Sequence, residues 1–290
     1  MSARVPATLA ALALLCAGSL AGHASAAERR VATLVPYAGA ALAKYPGKVA
    51  VVAAVRSDPR TPVPAGVIDL GSPHSPNLEQ LAEARAEIVV TDAHMHASLA
   101  EAIGRTGARA MPLDSTSLDA TFAGLEQLGG EVGVGPEIAA DVAAVRAQLA
   151  ELRIAEALPT LALFGAPGSF FVITERAWLG DLLRAEGFRN VAPPGPGGGR
   201  FPGFAPLTDE ALIGLEPELV LLVVHGNPDG VRAAFERDLA TRPALRSVRD
   251  SAKRGVHVLD PALFSANPGL DLPRAARALR ELAQPAAATP

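Results

Sequence analysis

Residues 136–159 read PEIAADVAAVRAQLAELRIAEALP, and they predict one long helix between two similar halves of the chain. Ile138, Val142, Val145, Leu149 and Leu152 recur at spacings of three and four, which stripes one helical face with apolar side chains. Asp141, Arg146, Gln148, Glu151 and Arg153 fall mainly elsewhere. Pro136 suits a first helical position, where its missing N–H would have no intrahelical partner, and Pro159 cannot continue the ladder it follows. At about 1.5 Å per residue, some twenty residues make a rod of roughly 30 Å, near the diameter of a small domain. Such a rod is either a core helix of one domain or a rigid spacer between two, and its flanks decide which.

Strands and helices alternate on both flanks. Before the rod, apolar runs at residues 31–35, 49–55, 66–70, 88–91 and 108–113 read as strands, with helices opening at Asn77, Leu99 and Leu118. After it, strands are predicted at 160–164, 219–224 and 256–259, and helices at 174–186, 208–215, 231–241 and 273–282. The alternation predicts α/β lobes with mainly parallel sheets.

The flanks also repeat one another. Residues 76–90 lie over residues 207–221 without a gap, so that Glu79 falls on Glu210, Leu81 on Leu212 and Glu87 on Glu218. The offset is 131 (210 minus 79), and it carries His94 onto His225 (94 plus 131), each just past the carboxyl end of an equivalent strand. Ligands of open α/β sheets bind beyond those ends, so two such histidines would face one another across a cleft. The expected division is an N-terminal lobe over residues 27–135, a linking helix over 136–158 and a C-terminal lobe over 159–290.

Residues 1–26 read as a signal peptide: Arg4 supplies a charge, residues 9–15 an apolar run too short to span a bilayer, and Ala24-Ser25-Ala26 a cleavage pattern. Cys16 is the only cysteine, and Leu15 before it is larger than the residue a lipoprotein signal usually carries there. Cleavage near Ala26 would leave an exported chain with no disulfide, as suits a bacterial periplasm. A net charge of −4 without basic clusters speaks against nucleic acid as a partner. Hydrophobic residues at 49% exclude disorder, and aromatics at 4% are sparse for a cleft of stacked rings.

The Pro76-Asn-Leu-Glu helix feeding an apolar strand, the single long helix, residues 169–183 with their Gly-Asp-Leu-Leu ending, Pro206-Leu-Thr-Asp-Glu-Ala-Leu and Val256-His-Val-Leu-Asp resemble, in this order, the iron-siderophore, haem and cobalamin class of periplasmic binding proteins. The resemblance covers nearly the whole mature chain. It implies two Rossmann-like lobes joined by one long helix, with ligand in the cleft between them. It further implies a monomer that delivers cargo to an ABC permease and its ATPase in the inner membrane. Glu79 and Glu210 match the glutamates that dock onto such a permease, although a carboxylate in a helix's first turn also simply favours the helix dipole.

His74, His94, His96 and His225 all fall in loops just after strands, where neutral imidazoles could ligate a metal, with Asp92, Glu175 or Asp114 completing the shell. An anionic iron chelate would instead call on arginines and aromatics near strand ends: Tyr37, Arg56, Phe170, Arg176 and Trp178. Haem draws on both sets. The first reading is a carrier of an iron complex, ferric siderophore or haem; the alternative is direct capture of a zinc, cobalt, nickel, copper or iron ion by the histidines. No His-Glu-x-x-His, Gly-x-Ser-x-Gly or Walker pattern supports an enzyme, and no catalytic cofactor is expected.

Overall fold

Five short apolar runs before the long helix become one all-parallel sheet in the computed structural model, which describes residues 28–56, 62–166, 169–193 and 201–284. The strands are β1 (Arg29–Thr33), β2 (Val49–Ala54), β3 (Ile68–Asp69), β4 (Ile88–Asp92) and β5 (Arg109–Leu113). They lie in the order β3-β2-β1-β4-β5. The expected signal peptide and most of the glycine and proline cluster after Pro193 lie outside the described residues. Val31, Ala32, Val89 and Val90 are fully buried, as strands covered on both faces must be. The covering helices are α1 (Pro36–Leu42), α2 (Leu78–Glu83), α3 (Ala100–Arg105) and α4 (Leu118–Val132).

The long helix, α5, spans Gly135–Leu152. Ile138, Val142, Val145 and Leu149 form its buried stripe, as the sequence spacing predicts. Its end corrects the expected helix over 136–158. Arg153 turns out of the helix with ψ 130, its Nη1 donates to the Ala185 carbonyl at 3.2 Å, and the Ile154 N–H donates to the Glu186 carbonyl at 2.8 Å. A backbone pairing with the next lobe replaces the last helical turns.

Beyond it, β6 (Pro159–Ala166), β7 (Ser169–Ile173), β8 (Arg189–Asn190), β9 (Phe204–Pro206), β10 (Leu219–Val224) and β11 (Val256–Val258) form a mixed sheet. Its order is β9-β7-β6-β10-β11, with β8 on the side of β6. The strands β6, β8, β10 and β11 run parallel, while β7 pairs antiparallel with β6 and β9 antiparallel with β7. Helices α6 (Trp178–Ala185), α7 (Asp209–Leu212), α8 (Pro228–Thr241), α9 (Pro243–Ser251), α10 (Pro261–Phe264) and α11 (Leu272–Leu282) complete it. The architecture is thus α/β in two lobes with mainly parallel sheets.

The 131-residue repeat is visible in the caps. Asn77 Oδ1 accepts the N–H groups of Glu79 and Gln80, and Thr208, 131 residues on, accepts the Ala211 N–H. One apolar core runs through both lobes, from Val31 and Val90 past Phe122, Ile138 and Val142 to Ile173 and Leu221. Polar ties cross the same boundary. The Leu118 N–H at the start of α4 donates to Asp181 of α6 at 2.8 Å, and Asn267 Nδ2 donates to Thr121 at 2.8 Å. Arg146 of α5 stacks over the Phe122 ring of α4 at 4.6 Å.

Candidate functional site

The order β3-β2-β1-β4-β5 puts the switch in chain direction between β1 and β4, where an open parallel sheet leaves a crevice at its carboxyl edge. Beyond β1 the chain supplies Leu34, Val35, Pro36 and Tyr37, and beyond β4 it supplies His94, Met95 and His96. The opposite lobe contributes Phe164 near the end of β6, Phe204 of β9, Trp178 at the start of α6 and His225 just past β10. Together with Asn267 these residues wall one cavity of about 200 Å³.

Two histidines from opposite lobes meet at this cavity. His74 sits at the tip of a tight antiparallel hairpin in which Gly71 pairs with Pro76 and Ser72 with Ser75. Its Nε2 lies 3.1 Å from the Nε2 of His225, within reach of one shared proton, and the rings cross edge to face at 86°. The His225 N–H donates to Gly165 O at 2.9 Å, which ties the residue to the end of β6, and Phe164 lies against its ring at 5.6 Å between centroids. Burial lowers the pKa of His225, so its imidazole is neutral at neutral pH and keeps a lone pair for a metal.

His96 has a different task from the metal ligation expected of it. It is 3% exposed; its Nδ1 accepts the Asp92 N–H at 2.9 Å and its Nε2–H donates to the Pro73 carbonyl at 2.7 Å. Both ring nitrogens are used, the tautomer is set, and the bond to Pro73 steadies the hairpin that carries His74. Asp92 is likewise occupied: Oδ1 accepts the N–H groups of His94 and Met95, and Oδ2 accepts the Ser115 hydroxyl at 2.7 Å.

His94 lines the cavity beside Asp114, with its Nε2 3.7 Å from the carboxylate, too far for a hydrogen bond. Burial pushes Asp114 up, but hydrogen bonds from the Thr116 N–H and hydroxyl, with His94 nearby, hold it below its ordinary value. The repeat suggests His94 opposite His225; the structure puts His74 there instead. Tyr37 is 5% exposed, and burial, then Asp92 and Asp114, push its phenol well up, so it is a neutral donor.

Other sequence candidates lie away from the cavity lining. Arg56 pairs with Asp69 at 3.1 Å. Phe170 belongs to β7, a strand absent from the sequence reading, and its ring packs on Phe235 at 5.6 Å. Arg176 and Glu175 sit in the turn before α6 and do not line the cavity. Glu79 and Glu210 stand exposed in the first turns of α2 and α7, away from the cavity. Sequence reasoning missed Phe164, Phe204 and Asn267. Phe164 could have been found as the last residue of a predicted strand, whereas the other two lie in segments with no periodicity. Among the described residues, no three His, Cys, Asp or Glu side chains are grouped to hold a bare metal ion.

Known proteins share this architecture. Over 122 residues the chain is 25% identical to the high-affinity heme uptake system protein IsdE of Staphylococcus aureus, a stretch that spans 42% of this chain and 40% of that relative. Among solved structures, an ABC transporter substrate-binding protein from Listeria monocytogenes superimposes with a TM-score of 0.74 at 23% identity, covering 88% of this chain and 98% of that one. S. aureus IsdE complexed with heme gives 0.74 at 19% identity over the same shares. The triscatecholate siderophore binding protein FeuA from Bacillus subtilis gives 0.69 at 16%, covering 88% and 92%. These likenesses show one fold that serves more than one iron complex. The sequence profile of the family described as periplasmic binding protein matches residues 34–263, most of the chain, and the chain belongs to that family.

Proposed function

We propose that this chain is the ligand-capturing component of an ABC importer and that its cargo is haem, clasped between His74 and His225. The observation that carries the reading is the facing pair of imidazoles, one from each lobe, over an apolar cavity. Two ligands suit an iron whose four equatorial positions are already filled by a porphyrin, whereas a bare ion needs more donors from the protein. An anionic siderophore calls for cationic side chains, and the described lining contains no Arg or Lys. Phe164, Phe204 and Trp178 offer apolar surface for a flat macrocycle instead. The haem uptake relative supports the same choice.

In this reading the chain works outside the inner membrane, in the periplasm, and carries haem to a membrane permease and its ATPase. Exposed Glu79 and Glu210, set at equivalent positions of the repeat by matching N-caps, are the docking carboxylates. The test is a titration of the purified protein with haem, followed by its visible absorbance. A six-coordinate, low-spin spectrum is expected from wild type. His74→Ala and His225→Ala should each convert it to a five-coordinate form and weaken binding. If both variants keep the wild-type spectrum and affinity, the histidine clasp is wrong.

A further inference from the structure

A haem carries two carboxylates, and the described cavity wall offers no Arg or Lys to receive one. It does offer two buried polar atoms without hydrogen-bond partners, Tyr37 Oη and His94 Nε2. Both belong to cavity-lining side chains, and both lie near Asp114: His94 Nε2 is 3.7 Å from it, and its charge is felt at the Tyr37 phenol. Several other polar side chains of the lining already donate within the protein. The Ser115 hydroxyl bonds Asp92, the Thr116 hydroxyl bonds Asp114, and Asn267 Nδ2 bonds Thr121. A buried donor with no acceptor is costly, so these two atoms mark where an acceptor belongs.

We propose that Tyr37 and His94 form a carboxylate subsite: Oη–H of Tyr37 and Nε2–H of His94 donate to one carboxylate of the ligand, a propionate if the ligand is haem. This deepens the haem reading and rests on it. Asp92 and Asp114 by their charge oppose an anion here, and the donors that these carboxylates already hold reduce that opposition. Asp92 accepts two donors on Oδ1 and one on Oδ2, and Asp114 Oδ1 takes two hydrogen bonds from Thr116. Tyr37 cannot turn away easily, because Gly269 packs against it so closely that a Cβ there would lie 2.7 Å from the Tyr37 Cβ.

The probes are iron-free protoporphyrin IX and its dimethyl ester, which differ only in the carboxylates and do not depend on the histidine clasp for iron. Fluorescence titration of wild type, Tyr37→Phe and His94→Leu gives the affinity ratio of acid to ester, and thermal melts check that each variant is folded. A hydrogen bond to a charged group is worth roughly tenfold to a hundredfold in binding. Wild type should prefer the acid by that factor or more, and each variant should lose about tenfold or more of the preference while binding the ester as wild type does. A wild-type ratio near one, or variants that keep the wild-type ratio, overturns the subsite. If His74→Ala and His225→Ala alter the haem spectrum while the ratio stays unmoved, the subsite alone fails. If wild type binds neither haem nor porphyrin, both readings fall.

Discussion

Replacing Glu186 with glutamine should make the protein more stable at alkaline pH and leave it almost unchanged near pH 4.5. Glu186 ends α6 where the chain leaving α5 docks, and it is 2% exposed, with one carboxylate oxygen lacking a hydrogen-bond partner. Burial raises its pKa from 4.5 to about 7, against the pull of Arg153 and Arg280. The folded state therefore holds a proton that the unfolded state releases between those two values. Stability from this group is fully present below pH 4.5, falls as pH rises toward 7, and stays low above it. At 1.36 kcal/mol per unit, the span from 4.5 to about 7 amounts to about 3 kcal/mol. Glutamine has the same shape and no proton to lose. Urea unfolding of wild type and Glu186→Gln at pH 5, 6, 7 and 8 should show a stability gap that opens with pH, reaching about 3 kcal/mol at pH 8, with equal m-values. A gap that does not change with pH would refute the assignment of the raised pKa to Glu186.

Three further outcomes follow from the geometry. His96→Ala removes the bond to Pro73 that steadies the His74 hairpin, and should weaken haem binding roughly tenfold in an absorbance titration, as expected for one lost hydrogen bond of about 1.4 kcal/mol, with His74 itself intact. Gly180→Ala places a Cβ 2.0 Å from the Thr174 carbonyl oxygen, backbone that cannot swing aside; soluble yield or melting temperature should fall sharply, by about 2 kcal/mol or more of stability. Asp181→Ala leaves the first-turn Leu118 N–H of α4 without its buried acceptor and should cost about 1–3 kcal/mol in denaturant unfolding, with little change in cleft ligand affinity.

Elements set by local chemistry were legible from the residues alone. The apolar stripe of α5 is the one its spacing predicts, and Asn77 caps α2 as its side chain allows. The repeat placed His94 and His225 at matching strand tips, and both line the cavity. What local residues could not announce depended on partners far along the chain. The helix stops six residues before Leu158 because the Glu186 carbonyl takes the Ile154 N–H, and no local signal announces that bond. Phe170 faces Phe235 only because its segment pairs with β6 as an antiparallel strand. His74 reaches His225 through a hairpin whose Gly71-Ser-Pro-His74 turn reads simply as loop. His96 looked like a ligand because its sequence position resembles that of His94, yet tertiary folding buries it against Pro73.

The same geometry limits how the cleft can admit its ligand. An iron held by two imidazoles needs the nitrogens about 4 Å apart, twice a metal–imidazole bond of about 2.0 Å. The observed 3.1 Å therefore has to widen by roughly 1 Å. The cavity of about 200 Å³ is also below the roughly 300–1,000 Å³ of typical ligand sites, in keeping with lobes drawn together. A large hinge motion is opposed by the apolar core that runs from Val31 to Leu221 and by the Leu118–Asp181 and Thr121–Asn267 bonds across the boundary. The His74 hairpin is tied to its lobe by the His96 bond to Pro73 and by the Arg56 N–H on the Gly71 carbonyl, and a shift of roughly 1 Å there would leave the ties across the lobe boundary in place. Opening there gives up the neutral hydrogen bond between the two imidazoles, worth about 1 kcal/mol, which two bonds to iron would replace if haem is the cargo. If haem is the cargo, the contact between His74 and His225 is a latch that the iron replaces, on a frame held by the shared core and by the bonds across the lobe boundary.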